Sequence, residues 1–452
     1  MMCRRCTVEN FVHLRHPANV WRTSAERTTS VFCYLSQMQR FILYCLLFVR
    51  LIPVSAQTRT DTFLQDLIRS QASPALKNVL DKPDSFHYQV IYTRIDRDRH
   101  NQPHFHNYYL HVNALDYFNP ASTVKLPLAL LALEKVHSLE GRGIDKFTPM
   151  LTDSAYSGQS TAWTDTSATN GLPSIAQYIR KIFLISDNDA YTRLYEFLGV
   201  SYINTRLHEL GYPDIRITRR FVPMNEDENR HTNPIRFVRD GQVLYRQPAA
   251  NSDFVFDFSH PYFYGNAYYD RHDSLIHAPM DFTRHNNFPI EDAQKMLQSA
   301  LFPTSVPESQ RFHLTPDDYR FLYQYMSEFP HESAHPRYDT TEFFDAYTKF
   351  WLFKAAGHTP IPPYIRIFNK PGWSYGFLTD IAYIVDFEHG VEFMLTGTIY
   401  TNSDGVLNDD KYDYDAIGYP FFKEIGDIIY RYELNRPRKY RPDLHDFRMT
   451  YN

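Results

Sequence analysis

The sequence predicts an α+β fold in which an antiparallel sheet is flanked by helices. Strand-like segments flank a polar turn at residues 96–103, helical periodicity fills the middle of the chain, and strand patterns return after residue 364. Strands joined by short turns pair antiparallel, and strands segregated from helices are typical of α+β proteins. The 452 residues are 43% hydrophobic and 22% charged, an ordinary globular composition with enough apolar residues for a large core.

The amino-terminal part of this fold is predicted to be a helix followed by a hairpin. Apolar residues recur at helical spacing within residues 57–83, and Pro83 ends that pattern. Residues 88–93 and 106–112 are strand-like and lie on either side of the polar turn. The nearly continuous apolar run at residues 126–133 then predicts a helix that is buried in the core.

Further helices and a second group of strands follow. The periodicity predicts helices over residues 174–184, 190–198 and 202–210, and a glycine follows each of the last two. The last third of the chain is predicted to contain three strands and a closing amphipathic helix, over residues 364–369, 376–386, 391–400 and 421–434.

Residues 236–345 differ in composition from the rest of the chain. They are rich in Tyr, Phe, His, Asp and Pro, and only residues 290–300 and 316–326 have helical periodicity. We therefore expect a large insertion or lid at about residues 236–345, carried by the main domain.

The first 56 residues are predicted to be an upstream segment and a signal peptide. A basic start precedes the apolar residues 41–49, and Val54-Ser55-Ala56 is a small-residue cleavage site. We expect Met38 to be the true start, and residues 57–452 to form a single exported, periplasmic domain.

The cysteine content and the net charge limit the classes of function that we expect for this protein. All four cysteines precede residue 57, so the mature chain is expected to contain neither a disulfide nor a cysteine nucleophile. The net charge of -5 gives no indication of nucleic-acid binding. A membrane contact is expected only through the signal segment, if that segment is not cleaved.

The motif Ser122-x-x-Lys125 is the candidate catalytic centre. It opens the apolar helix, and its spacing puts both side chains on one face, a helical turn apart. A neutral amine beside a hydroxyl can accept its proton and turn it into a nucleophile, and burial would favour the neutral amine. The structural alternative is a serine that starts a helix, followed by a solvated lysine.

Two more patterns follow this motif, Ser186-Asp187-Asn188 and Lys370-x-Gly372, and each pattern occurs once. In this order, on a helix, an inter-helix loop and a strand, the three resemble the penicillin-recognising serine hydrolases, in particular class A β-lactamases. The resemblance covers roughly residues 86–235 and 346–434. It implies a β-lactamase/transpeptidase-like fold with a sheet of about five strands and a helical subdomain, to which the expected insertion would be added.

The resemblance also implies a role for each motif residue. These roles are nucleophile for Ser122, proton acceptor for Lys125, proton relay to the leaving nitrogen for Ser186, partner of the substrate amide or Lys125 for Asn188, and positive charge near the substrate carboxylate for Lys370. The backbone N–H groups of Ser122 and Trp373 would form the oxyanion hole. Asp187 is expected to hold its loop.

Two departures from the family pattern affect the expected activity. Pro371 replaces a hydroxyl residue that helps to bind a carboxylate, and Ser374 is the candidate substitute. Phe221 stands where class A enzymes have the glutamate that activates the deacylating water. Glu226 and Glu228 are the candidate replacements for that base, although both also fit an interpretation as solvated loop acids.

We therefore expect an exported serine hydrolase that cleaves an amide or β-lactam bond through a Ser122 acyl-enzyme, without metal or cofactor. The expected substrate is a β-lactam or a cell-wall peptide. The alternatives are a cell-wall D,D-peptidase and a non-catalytic binding protein on the same fold. The sequence His331-Glu332-Ser333-Ala334-His335 matches a zinc motif, but Pro336 disfavours the helix that the motif requires.

Overall fold

The computed structural model describes residues 57–451, so the predicted signal peptide and the expected start at Met38 lie outside the described residues. The eleven α-helices of the described residues are α1 Thr62–Gln71, α2 Pro74–Leu80, α3 Pro83–Phe86, α4 Lys125–His137, α5 Ile175–Ile185, α6 Asn188–Leu198, α7 Val200–Glu209, α8 Glu226–Arg230, α9 Ile290–Leu301, α10 Pro316–Ser327 and α11 Tyr419–Asn435. Among these helices, none is both long enough and apolar enough to span a bilayer.

The strands form one large sheet and several small ones. The thirteen strands of the described residues are β1 Gln89–Arg97, β2 Pro103–Leu110, β3 Met150–Thr152, β4 Ile235–Arg239, β5 Gln242–Gln247, β6 Phe263–Tyr264, β7 Ala267–Tyr269, β8 Leu275–Ile276, β9 Met280–Asp281, β10 Ile365–Ser374, β11 Phe377–Asp386, β12 Val391–Tyr400 and β13 Val406–Leu407.

The large sheet has five strands in the order β10-β11-β12-β1-β2, and all its pairs are antiparallel. This confirms the α+β prediction and the predicted sheet. Short turns join β1 to β2 and β10 to β11 to β12, and the two groups meet where β12 pairs with β1. All residues of β11 and β12 are buried, as expected of inner strands covered on both faces.

Each face of the sheet packs on its own layer of helices. One face, with Phe368 and Tyr383, contacts the core made by α4, α5, α6, α9 and α10. The opposite face, with Ile367 and Ile384, packs against α1 and α11. Helix α4 is buried along nearly its whole length because it is apolar on all sides, as its sequence predicts.

The segment predicted as an insertion, residues 236–345, contains two different kinds of structure. Its helices α9 and α10 bury residues such as Met296 and Leu322 in the main core, beside α4 and the sheet. Its remaining part contains most of β4, all of β5 and the short strands β6 to β9, which lie outside the five-stranded sheet. The two helices are therefore core elements rather than parts of a lid.

Candidate active site

The candidate nucleophile lies in a tight turn that leads into α4. Residues Ala121–Val124 form a 3₁₀ turn, and α4 begins at Lys125. The preceding residue, Ala121, has a φ of 44°, which is unfavourable for a residue with a Cβ and is often found at functional sites. Ser122 Oγ lies 2.9 Å from Lys125 Nζ and is partly exposed, so the expected pairing of the two side chains is present.

The Lys125 amine is fully buried and surrounded by oxygen atoms. Besides Ser122 Oγ, it lies 3.1 Å from Ser186 Oγ and 2.7 Å from Asn188 Oδ1, and it contacts the Ser186 carbonyl. None of these acceptors is charged, so burial is not offset by a hydrogen-bonded carboxylate.

The turn between α5 and α6 supplies these oxygen atoms. Ser186 follows α5 with a φ of 63°, and this left-handed conformation ends the helix. Asp187 then caps α6 by accepting the Ala190 N–H at 2.7 Å. The motif therefore holds two helix ends together, and the Ser186 hydroxyl and carbonyl both contact Lys125.

The second lysine of the site comes from the edge strand β10. Lys370 Nζ donates to Ser186 Oγ at 2.9 Å and to the Pro371 carbonyl at 2.7 Å, and its side chain is fully buried. Pro371 itself is accommodated because β10 lies at the edge of the sheet. The Ser186 hydroxyl therefore lies between the amines of Lys125 and Lys370.

Gly372 allows β10 to approach the nucleophile turn closely. A Cβ at this position would lie 2.7 Å from the Pro120 carbonyl oxygen and 2.7 Å from the Ser122 backbone nitrogen. Only glycine fits this approach without a shift of the backbone. Trp373 and Ser374 follow in the strand and are partly exposed beside the site.

Burial changes the acid–base properties of both lysines. It lowers the pKa of Lys125 to about 7, although nearby Asp187 acts in the opposite direction. Burial also lowers the pKa of Lys370 well below its ordinary value, and the positive charge of Lys125 adds to this effect. An amine with a pKa near 7 is suited to accept a proton at neutral pH.

Phe221 lies directly beside Lys125. Its ring centroid is 5.1 Å from Lys125 Nζ, and the ring stacks on Tyr191 at a centroid distance of 4.3 Å. An aromatic ring therefore stands next to the amine, at the position where the resemblance would place a glutamate.

The two candidate replacement acids bind other partners. Glu226 pairs with Arg284 at 2.7 Å and with Arg230 at 3.3 Å. Glu228 forms a capping box with Asn225 at the start of α8. In the described residues neither carboxylate hydrogen-bonds to the site. Local helix capping and surface ion pairs hold them instead, which favours the interpretation as loop acids over the one as bases.

The zinc-like sequence at residues 331–335 does not form a helix. A 3₁₀ turn ends at Glu332, which pairs with Arg366 at 2.7 Å. His331 Nδ1 pairs with Asp345 at 2.6 Å. Nowhere in residues 57–451 do three or more potential metal ligands come together.

Three residues next to the site were not predicted from the sequence. Lys349, Asn369 and Asp380 form a buried hydrogen-bonded network on the other side of β10 from the Lys370 side chain. A signal for one of them was present, because Asp380 interrupts an otherwise apolar stretch of a buried strand. Nothing in the local sequence around Lys349 distinguishes it from a solvated lysine.

One family model matches part of the chain that contains two of the three motifs. Residues 72–254 match the model of the "Beta-lactamase enzyme family". This confirms the predicted resemblance and the β-lactamase-like fold. The matched residues include Ser122, Lys125, Ser186 and Asn188 but not Lys370. No curated protein matches the chain.

Solved structures of β-lactamases are also similar to the chain, at low identity. A β-lactamase from Xanthomonas campestris pv. campestris is 15% identical, with 81% of this chain and 98% of that chain covered and a TM-score of 0.46. A β-lactamase from Sphaerobacter thermophilus is 12% identical, with 80% and 98% covered and a TM-score of 0.41. An ancestral class A β-lactamase is 14% identical, with 81% and 99% covered and a TM-score of 0.43.

The Lys125 environment predicts how the reactivity of Ser122 depends on pH. Because the amine accepts a proton only when neutral, labelling of Ser122 by a fluorophosphonate should rise as the pH increases through about 7. The measurement is the labelling rate as a function of pH, with Ser122→Ala as the blank.

Asp187→Asn provides a matched variant for this prediction. Asparagine also caps helices, so α6 should keep its cap, while loss of the negative charge should lower the pKa of Lys125. The labelling midpoint should therefore move to lower pH. A rate that does not change with pH in the wild type would contradict the role of Lys125.

Proposed function

We propose that this chain, a relative of the β-lactamase enzyme family, is an active-site serine hydrolase that cleaves an amide or β-lactam bond. The observation that carries the proposal is the 2.9 Å pairing of Ser122 Oγ with the fully buried amine of Lys125. The family match over residues 72–254 supports it independently.

The proposed acylation step uses the groups of this site. Neutral Lys125 takes the Ser122 hydroxyl proton while Oγ forms a bond to the substrate carbonyl carbon. The carbonyl becomes a tetrahedral oxyanion beside the Ser122 and Trp373 N–H groups. The C–N bond then breaks, and the leaving nitrogen receives a proton through Ser186, which lies 3.1 Å from Lys125 Nζ and 2.9 Å from Lys370 Nζ.

The expected substrate carries a carboxylate near the scissile bond. By the resemblance, Lys370 would supply a positive charge at the base of the site, against the burial that lowers its pKa. Pro371 lacks the hydroxyl that helps the family to bind a carboxylate. Ser374 is partly exposed in the same strand and is the proposed hydroxyl donor in its place.

A cell-wall D,D-peptidase is the second candidate, and Phe221 is the observation that favours it. The family glutamate activates the water that hydrolyses the acyl-enzyme. An enzyme that transfers its acyl group to an amine, or that releases it slowly, does not need this glutamate.

The experiment that tests the function is intact mass spectrometry after incubation with a panel of β-lactams and cell-wall peptides. The wild type should gain the mass of one acyl group, and Ser122→Ala should gain none. Lys125→Ala should lose as much reactivity as Ser122→Ala, because the two groups act together. Both variants should remain folded by circular dichroism.

The outcome separates the enzyme from a binding protein. A substrate that binds without a mass change, equally in the wild type and Ser122→Ala, would indicate a non-catalytic binding protein. Full hydrolysis by Ser122→Ala would reject Ser122 as the nucleophile.

The replacement of the family glutamate by Phe221 predicts slow deacylation of β-lactam adducts. Acylation needs only Ser122, Lys125 and the oxyanion hole, but hydrolysis of the ester needs a base to activate water. Loss of one positioned base slows a step roughly 10²–10⁴-fold, so we expect a burst followed by a long-lived adduct.

Substitution of the two loop acids tests this explanation. Glu226→Gln and Glu228→Gln should leave the adduct lifetime unchanged, because both carboxylates bind other partners. Slower deacylation in either variant would show that the substituted carboxylate is a working base. Rapid wild-type turnover of penicillins that neither variant slows would show that this explanation of the loop is wrong.

Export remains part of the proposal. The pattern at residues 38–56 predicts that the protein acts outside the cytoplasm, in the periplasm, with a mature chain that begins near Gln57 and contains no thiol. Amino-terminal sequencing of the exported protein tests this, and an exported soluble chain that still begins at Met1 would reject it.

A further inference from the structure

A short segment between β9 and α9, residues 282–286, contacts three parts of the chain that surround the candidate nucleophile. We call it the bridging segment. It belongs to the stretch that the sequence predicts as an insertion, and neither the sequence motifs nor the proposed reaction assigns it a role. Its contacts are to the loop that leads to Phe221, to the turn between β10 and β11, and to the residues that precede the nucleophile turn.

On one side the bridging segment is hydrogen-bonded to the loop that leads to Phe221. The Thr218 and Arg219 N–H groups donate to Asn286 Oδ1 at 2.8 and 3.2 Å. Thr218 Oγ1 also donates to the Arg284 carbonyl at 3.0 Å. Asn286 is buried, and a buried polar group that is hydrogen-bonded on several sides fixes the arrangement of its neighbours.

On the other side the bridging segment packs against the turn between β10 and β11. The Phe282 and His285 rings contact the Tyr375 ring edge to face, at centroid distances of 5.4 and 6.0 Å. Phe282 is fully buried and also contacts Tyr117, which precedes the nucleophile turn, at 5.9 Å. The Tyr117 hydroxyl donates to the Asn286 carbonyl at 3.2 Å. The segment therefore joins both sides of the site and is anchored beside the nucleophile turn.

The direction of β10 determines which end of a substrate meets this segment. In the proposed reaction the leaving nitrogen lies at Ser186, beside Lys370. Strand β10 passes against the Ser122 backbone nitrogen at Gly372. From there it continues, away from Lys370, to the turn at Tyr375. The acyl portion of the substrate, which extends away from the leaving nitrogen, therefore points toward this turn.

We propose that the bridging segment closes the acyl end of the site, so that Tyr375 and His285 limit the length of the acyl portion that fits. The inference rests on the proposed serine hydrolase and narrows its substrates to those with a short acyl portion. Tyr375 and His285 are partly exposed and form the surface of this wall. Phe282 and Asn286 are buried behind them and hold them in place.

The length of β10 beyond the nucleophile sets the size of the acyl portion. Tyr375 is three residues beyond Gly372, a distance of about 10 Å at the rise of a β-strand. An extended peptide residue covers about 3.4 Å, and the rings of the wall take up part of the distance. We therefore expect room for about two residues before the scissile bond. A β-lactam with a small side chain fits this length, whereas a long peptide donor does not.

The wall is aromatic, and its imidazole is uncharged at neutral pH. Burial lowers the pKa of His285 to about 3, and the positive charge of Arg219 adds to this effect while Asp281 opposes it. Neutral aromatic rings are suited to contact an apolar group, because they lose little on leaving water. We therefore expect the short acyl portion to end in an apolar group.

The test uses two boronic acids that differ only in the length of the group in the acyl position. Acetamidomethylboronic acid carries the short group, and acetyl-triglycyl-aminomethylboronic acid carries the long one without a chiral residue. In each adduct Ser122 Oγ adds to the trigonal boron as its proton passes to Lys125, which gives a tetrahedral boronate. The dissociation constants are measured by ¹¹B NMR titration of the full chain. The wild type should bind the short compound at least about tenfold more tightly, because the wall excludes the long one.

Removal of the rings should abolish this difference. Tyr375→Gly and His285→Ala are made singly and together, and glycine suits the φ of 54° at Tyr375. In the double variant the ratio of the two dissociation constants should approach one. Phe263→Ala is the matched control, because this ring lies on β6 outside the bridging segment and is 57% exposed. The control should keep the wild-type ratio.

The ratio separates this inference from the proposed function. A wild-type ratio near one, or a ratio that either folded single variant and the double variant leave unchanged, would overturn the wall. A large wild-type ratio that the variants abolish, in a protein that no amide or β-lactam acylates, would reject the hydrolase and leave the wall standing. If neither compound forms an adduct with the wild type, Ser122 is not a reactive serine and the inference falls with the proposed function.

Discussion

The burial of the Lys125 amine among uncharged oxygen atoms is the central constraint on this structure. An ammonium group removed from water without a hydrogen-bonded carboxylate is costly, so burial favours the neutral form. The apolar helix α4 forces this burial, because nearly all its residues belong to the core. The proposed chemistry at Ser122 therefore depends on the hydrophobic core behind it as much as on the motif itself.

The site is assembled where three elements meet with little free space. The nucleophile turn precedes α4, the Ser186 turn joins two helix ends, and the edge strand β10 lies against both. Gly372 permits the contact of β10 with the nucleophile turn, since a Cβ would lie 2.7 Å from the Ser122 nitrogen. The edge position of β10 explains why proline is tolerated beside Lys370.

Phe221 affects both steps of the proposed reaction, acylation and deacylation. A ring at 5.1 Å from the Lys125 amine adds apolar surroundings, whereas a carboxylate there would favour the charged amine. The same replacement removes the group that would activate water for deacylation. In the proposed acyl-enzyme mechanism, the described site therefore favours acylation over deacylation, and a D,D-peptidase stays the second candidate beside a β-lactamase.

The main helices, the first hairpin and the strands of the last third could be predicted from local periodicity and turn residues. The five-stranded sheet and the residues that surround Ser122 were predicted from the family resemblance that the three sequence motifs carry. Three-dimensional packing was needed to show that α9 and α10 belong to the core, that Glu226 and Glu228 bind other partners, and that Lys349 and Asp380 lie behind the site. Each of these findings depends on contacts between side chains of elements that are far apart in the chain. In addition, a solvated lysine and a buried lysine have the same local sequence signal.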